Sequence, residues 1–192
     1  MKKISIIALV LISFICPKVH SQYSAAKLTG FGMVYPRVNY GRALNSGGIG
    51  ISYEHSMSKH FSWSLSFNYF QQNIQYPVVS TATDTFMSKT IAQHYGLSSE
   101  IRFYFNKKYN GAYLGATICG DYIIGSDEYY ANGVDSTHYN GHFYNSYYGG
   151  LGAGYSIPVN KNFNLEIHYT ALFDLTGFTH QFGFSAVYIL GK

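Results

Sequence analysis

Serine, histidine and carboxylate side chains recur in two short segments, and these residue types can carry out acyl transfer. His94, Ser98 and Glu100 lie close together in the chain, and Glu166 and His168 are separated by a single residue. A serine hydroxyl becomes a nucleophile when a histidine accepts its proton and a carboxylate orients that histidine. Both segments have apolar residues at every second position, which predicts strands with each polar set on one face.

The spacing along a strand argues against this chemistry. Residues two and four positions apart on a strand are separated by about 7 and 13 Å, so His94 does not reach Ser98 within one strand. Contacts between strands are not excluded by the sequence. Packing and hydrogen bonding inside the fold is the preferred interpretation of these polar residues, and none is predicted to be catalytic.

Two further patterns suggest cofactors but lack the required context. The glycine-rich segment YYGGLGAGY, Tyr147 to Tyr155, is not followed by a helical pattern, so it does not predict a phosphate or dinucleotide loop. His138 and His142 have no cysteine or acidic residue at metal-ligand spacing. No cofactor and no metal are therefore predicted.

The elements that carry these residues are strands. The segment HFSWSLSFNYF, residues 60–70, alternates strictly between polar and apolar residues, the latter being Phe61, Trp63, Leu65, Phe67 and Tyr69. Comparable alternation predicts eight strands in all, most of them long enough to cross a bilayer at a tilt. They span residues 28–37, 47–57, 60–70, 90–105, 111–124, 142–157, 163–173 and 178–190.

The connections between these strands alternate in length. Three short turns each hold a small polar residue, a lysine, one further residue and an aromatic residue: Ser58-Lys59-His60-Phe61, Asn106-Lys107-Lys108-Tyr109 and Asn160-Lys161-Asn162-Phe163. Between them lie polar stretches predicted to be loops, at 38–46, 71–89, 125–141 and 174–177. This arrangement predicts an up-and-down antiparallel meander.

Composition and the N-terminal segment indicate an exported protein with an apolar exterior. Residues 1–22 have two lysines followed by an apolar run, which predicts a signal peptide and leaves 23–192 as one domain. Their removal takes Lys2, Lys3 and Lys18 and reduces 13 Lys plus Arg to 10, against 9 Asp plus Glu. No basic patch for nucleic acid survives. Charged residues are only 11% of the chain, whereas soluble domains have about 25%.

The size of a barrel decides which face of the strands points inward. An apolar interior, as in a lipocalin or avidin, would have to hold about forty bulky side chains, more than an eight-stranded barrel accommodates. We therefore predict that the apolar face of residues 60–70 contacts lipid. The opposite face is predicted to form a polar lumen network of Glu54, Glu100, Arg102, Asp121, Glu166 and His168.

Two long segments resemble a known family. GLSSEIRFYFNKKYNGAYLGA, Gly96 to Ala116, and YYGGLGAGYSIPVNKNFNLEIHYTALF, Tyr147 to Phe173, are similar to small outer-membrane β-barrels of Gram-negative bacteria, the OmpA/OmpX-type eight-stranded barrels. The resemblance covers essentially residues 23–192. It implies an outer-membrane location and no particular chemistry.

The expectation is an all-β protein, an eight-stranded antiparallel up-and-down transmembrane β-barrel with a lumen filled by side chains. Its expected role is structural or in surface interaction, with outer-membrane lipid around the barrel and a surface ligand or protein bound through loops 71–89 and 125–141. The first alternative is an outer-membrane hydrolase resembling the lipid A deacylase type. The second is a soluble small-ligand barrel. A barrel that conducts through a narrow channel is a further alternative.

Overall fold

The fold is an all-β barrel of eight strands. A computed structural model of the chain describes residues 23–34, 42–80, 85–107, 109–131, 134–173 and 178–190. The strands are β1 (Ser24–Val34), β2 (Arg42–Ser56), β3 (Phe61–Ser80), β4 (Thr85–Tyr104), β5 (Gly111–Ala131), β6 (Val134–Pro158), β7 (Phe163–Phe173) and β8 (Phe178–Ile189). No helix in the described ranges is long and apolar enough to cross a membrane.

Each strand pairs antiparallel with the next, and β1 pairs with β8 to close the barrel. The closing register runs from Ala25 opposite Ile189 to Val34 opposite His180. Because the sheet closes, every strand pairs through its backbone N–H and C=O groups with both neighbouring strands. A membrane-spanning sheet requires such closure, because lipid cannot form hydrogen bonds with unpaired backbone groups. The structure confirms the predicted eight-stranded antiparallel up-and-down barrel.

The two faces of each strand lie in different surroundings. On β3, Phe61, Leu65 and Phe67 are exposed on the outside, whereas Ser62 and Ser64 are buried in the lumen. The outward-facing Trp63 and Tyr69 are half-buried. Because side chains alternate along a strand, the sequence pattern is sufficient to place every residue of this segment on one face or the other.

The longest strands run through segments predicted to be loops. β3 and β4 pair as far as Ser80 opposite Thr85, and β5 and β6 as far as Ala131 opposite Val134. The prediction that 71–89 and 125–141 are loops is therefore wrong for their described residues. Outside a membrane neither face of a strand has to be apolar, so the backbone ladder continues where the period of two is lost.

Other boundaries differ less. β1 begins at Ser24, four residues before the predicted start, and β2 begins at Arg42, inside the predicted loop 38–46. The predicted end of the first strand at 37 and the loop 174–177 lie outside the described residues, as does the predicted signal peptide.

The two ends of the barrel are unlike. One end carries the three short turns, residues 57–60, 105–110 and 159–162, together with residues 23 and 190. In outer-membrane barrels the short turns face the periplasm, so the resemblance implies that the outer parts of β3 to β6 lie outside the cell. Aromatic residues mark both edges of the apolar band, for example Phe61 and Tyr69 on β3. They are about 20 Å apart along the barrel axis for a strand tilted by about 40°.

Candidate functional site

An ionic cluster fills the lumen near its periplasmic end. The Arg102 guanidinium lies 2.6 Å from Glu100, 3.0 Å from Glu166 and 3.4 Å from Glu54. Lys27 lies 2.8 Å from Glu166 and forms a second ion pair with Glu54. These five residues come from β1, β2, β4 and β7, so the cluster ties strands on opposite sides of the barrel.

Two of the three carboxylates of the cluster are deeply buried, and the set is largely hydrogen-bonded. Glu54 and Glu166 are 0% exposed. Glu54 also accepts hydrogen bonds from Tyr104, at 2.9 Å, and from Ser62. Three carboxylates face two cations, and Oε1 of Glu166 has no hydrogen-bond partner among the described residues. Removing ions from water is costly unless they are paired, so the set is interdependent.

The predicted lumen network is only partly one network. Glu54, Glu100, Arg102 and Glu166 meet, but Asp121 lies elsewhere, accepting a hydrogen bond from the Tyr148 hydroxyl at 2.6 Å. His168 faces Gly183, where an added Cβ would collide with the imidazole ring. Nδ1 of His168 has no hydrogen-bond partner within the described part of the chain.

Lys27 is the member of the cluster that the sequence analysis missed. It precedes the predicted start of the first strand by one residue, so it was assigned to no face. In the structure it lies on β1 opposite Ser52, with Ser24, Ala25 and Ala26 before it in the same strand. The sequence did contain an indication of its role, because several carboxylates predicted in the lumen require a second cation beside Arg102.

A layer of tyrosines closes the lumen below the cluster. Tyr104, Tyr109 and Tyr113 are buried and pack together with Ala25 and Val187. The Arg102 guanidinium lies 4.5 Å from the centre of the Tyr113 ring, in a cation–π contact. Tyr109 belongs to the β4–β5 turn and has a φ of 55°, uncommon for a residue with a side chain. Burial raises the pKa of its phenol, which therefore stays neutral.

A second apolar layer lies nearer the outer end. Phe31, Met33, Phe70 and Leu172 are buried together, and Phe70 stacks on His94 with ring centres 4.0 Å apart. Between this layer and the cluster is a cavity of about 70 Å³, which has room for a few water molecules. Its lining includes six hydroxyl-bearing residues: Thr29, Ser52, Ser66, Ser98, Thr117 and Thr170.

The residues with hydrolytic potential, Ser98 and His94, have separate hydrogen-bond partners. Ser98 accepts a hydrogen bond from Asn68 at 3.0 Å. His94 contacts Asp121 at 3.4 Å and Gln72 at 3.2 Å. In the described ranges, no hydrogen bond joins Ser98 to His94 and no group of three His, Cys, Asp or Glu residues is placed to hold a metal. The side chains of His138 and His142 lie outside the described residues.

Cys119 provides a test of the closed lumen, because it lines the cavity and is the only cysteine in residues 23–192. In the folded barrel we expect a bulky maleimide to label Cys119 at least about tenfold more slowly than in the urea-unfolded chain, since thiol reactivity requires access. Replacing Phe70 and Leu172 by alanine should accelerate labelling from outside intact cells.

The control for this experiment is Tyr104→Ala, which opens the opposite end and should leave labelling from outside unchanged. Mass spectrometry of the labelled protein gives the rates. Labelling of the unmodified barrel as fast as that of the unfolded chain would contradict a closed lumen.

The outer part of β6 has an open backbone edge. β6 pairs with β7 only from Gly149, opposite Phe173, to Pro158. Residues 134–144 of β6 therefore pair with β5 on one side and, within the described ranges, with no strand on the other.

The closed barrel, its apolar exterior and its filled polar lumen define a small outer-membrane β-barrel, and the protein is located in the outer membrane. The chain belongs to the family DUF3575, described as protein of unknown function, whose model matches residues 9–180. No curated protein matches the sequence.

One solved structure supports the fold, and two others match at lower TM-scores. Ail, the attachment invasion locus protein of Yersinia pestis, in complex with the heparin analogue sucrose octasulfate, has a TM-score of 0.53 at 11% identity, covering 88% of this chain and 99% of that chain. OprG from Pseudomonas aeruginosa has a TM-score of 0.46 at 8% identity, covering 90% and 98%. Neisserial surface protein A has a TM-score of 0.37 at 13% identity, covering 88% of this chain and 97% of that chain.

Proposed function

We propose that the protein is a surface-interaction protein that binds a partner through the outer parts of β3 to β6. We call these parts the outer wall, residues 71–80, 85–94, 123–131 and 134–146. The observation that carries the proposal is the length of the paired strands beyond the apolar band. Measured along β3, Ser80 lies about 35 Å from Tyr69, the aromatic residue at the outer edge of that band. Strands of this length are not needed to cross a membrane.

The edge of β6 indicates the kind of partner. Residues 134–144 pair with no strand on the side away from β5 within the described ranges, and this edge can accept an extended segment of another protein as an additional strand. The segment 123–146 is also rich in tyrosine, asparagine, serine and glycine, a composition suited to recognition. A polyanion such as the heparin analogue bound by Ail fits less well, because the outer wall carries three acids, Asp127, Glu128 and Asp135, against one lysine, Lys89.

The proposal includes the remainder of the molecule. Residues 1–22 direct export and are removed, and 23–192 form the barrel. Phe61, Trp63, Leu65, Phe67 and Tyr69 contact outer-membrane lipid, and the lumen polar residues stabilise the closed barrel. The two buried layers argue against a channel, and the separate partners of Ser98 and His94 argue against a hydrolase. The exposed apolar band argues against a soluble barrel.

Shortening the outer wall tests the proposal. In the shortened variant, one Asn-Gly turn joins Asn73 directly to Ile91 and a second joins Gly125 directly to His142, so the residues between them are removed. Both pairs are already opposite each other in the full-length hairpins. We expect it to fold with unchanged heat-modifiable migration. Attachment of expressing cells to immobilised matrix and serum proteins should fall at least about tenfold, because a few contacts dominate such binding.

Each hairpin shortened separately provides the matched control. Shortening only β3–β4 leaves the β6 edge in place and should preserve most of the attachment, whereas shortening only β5–β6 should abolish it. Equal attachment by the doubly shortened variant and the full-length protein would contradict the proposal, as would full-length attachment no greater than that of cells lacking the barrel.

A further inference from the structure

Two of the three periplasmic turns share one backbone structure. In each, the first two N–H groups donate to the carbonyl of the aromatic residue that opens the next strand, and a serine or asparagine side chain accepts a backbone N–H within the turn. The backbone bonds join Met57 and Ser58 to Phe61 at 2.9 and 3.0 Å, and Val159 and Asn160 to Phe163 at 2.9 and 3.1 Å. The serine and the asparagine explain the turn, but neither requires the lysine that follows.

Each periplasmic turn places an exposed lysine beside an exposed apolar side chain. Lys59, Lys107 and Lys161 are exposed. The apolar residue two positions before each lysine is also exposed, at 41% for Met57, 55% for Phe105 and 55% for Val159. The β4–β5 turn has a different backbone, with Tyr109 in the left-handed region, yet it presents the same pair of side chains.

The three turns themselves carry no acidic side chain beside the described lysines. Residues 57–60, 105–110 and 159–162 contain no aspartate or glutamate. The nearest carboxylates along the strands, Glu54 and Glu166, are fully buried and paired with Lys27 and Arg102. The periplasmic rim therefore presents exposed cations, each with an exposed apolar residue two positions before it in the chain.

We propose that Lys59, Lys107 and Lys161, called here the lysine collar, bind the phosphate groups of anionic glycerophospholipids in the periplasmic leaflet. Met57, Phe105 and Val159 enter the acyl-chain region next to the bound headgroups. Cations beside inserted apolar groups are the combination that attaches proteins to anionic membrane surfaces. A soluble polyanion would be bound by the lysines but would leave the three apolar side chains in water. The collar fixes the depth of the barrel, and with it the height of the outer wall.

The single tryptophan of the chain reports on this leaflet. Trp63 lies on the outside of β3 two residues from its periplasmic start, and its indole N–H donates to Ser99 on β4 at 2.7 Å. It is therefore held between the β2–β3 turn with Lys59 and the β4–β5 turn with Lys107. A brominated lipid quenches its fluorescence only when the lipid contacts this part of the barrel.

The experiment uses the full barrel refolded into phosphatidylcholine vesicles that contain equal fractions of either brominated phosphatidylglycerol or brominated phosphatidylcholine. At low salt we expect a relative binding constant about fivefold in favour of phosphatidylglycerol at Trp63. In about 1 M salt, where screening acts over about 3 Å, the preference should disappear. Equal quenching by the two lipids at low salt would overturn the proposal.

Substitutions locate the preference. Lys59→Gln with Lys107→Gln should remove it, and Lys59→Arg with Lys107→Arg should retain it, because arginine keeps the charge. Lys161→Gln lies on the β6–β7 turn, away from β3, and is the matched control that should leave the Trp63 result unchanged. A preference that survives the double glutamine substitution would also overturn the proposal. Heat-modifiable migration establishes that each variant is folded.

Discussion

Replacing Arg102 by methionine is expected to lower the free energy of unfolding of the barrel by about 3–5 kcal/mol. The substitution leaves Glu54, Glu100 and Glu166 in the lumen with only Lys27 to compensate their charge. An uncompensated buried charge costs much more than a buried ion pair gains. Urea-induced unfolding in phospholipid vesicles, followed by the fluorescence of the single tryptophan, measures the change.

Neutralising the whole cluster tests the reason for that loss. A variant in which both cations become methionine and the three glutamates become glutamine should recover most of the stability, because no ion then has to be removed from water. In vesicles of phosphatidylcholine alone, which offer no anionic lipid to the lysine collar, Lys59→Gln on its exposed turn should change the free energy of unfolding by less than about 0.5 kcal/mol. A loss below about 1 kcal/mol for Arg102→Met would contradict the interdependence of the cluster.

The membrane-spanning part of the fold was predictable because two solvents determine its sequence. Lipid on one face and a polar lumen on the other require alternation over the whole span, as in Phe61 to Tyr69. The outer wall was not predictable on this basis. Above the membrane both faces of a strand can be polar, so residues 71–80 and 126–131 continue as strands without the pattern that identifies one.

The sequence predicted which polar residues face the lumen, but not their positions along the barrel axis. Alternation places Asp121 and Arg102 in the lumen, yet only the register between strands determines which side chains meet. Asp121 is opposite Gly96, whereas Arg102 is opposite Ser62 and Gly115, several residues nearer the periplasm. Register depends on the stagger of all eight strands, and no local sequence pattern encodes it.

Glycines in the lumen provide the space that large side chains occupy. Gly96, Gly115 and Gly183 lie beside Asp121, Glu100 and His168 respectively, and an added Cβ at each would collide with that neighbour. Gly154 is more constrained, since its Cβ would collide with the Tyr113 ring and lie 2.7 Å from the backbone oxygen of Ile167. A side chain can rotate away, but a paired backbone carbonyl cannot.

Gly154→Val is therefore expected to lower the free energy of unfolding by about 3 kcal/mol, at the upper end of the cost of overpacking. Gly30→Val is the matched control, because Gly30 is also a strand glycine but an added Cβ there meets nothing within 4 Å. It should leave stability unchanged or raise it by about 0.5–1 kcal/mol, because glycine is unfavourable within a strand. Urea unfolding in vesicles compares the two variants. An equal effect of both would mean that Gly154 is needed for its backbone and not for the space that it leaves to Tyr113.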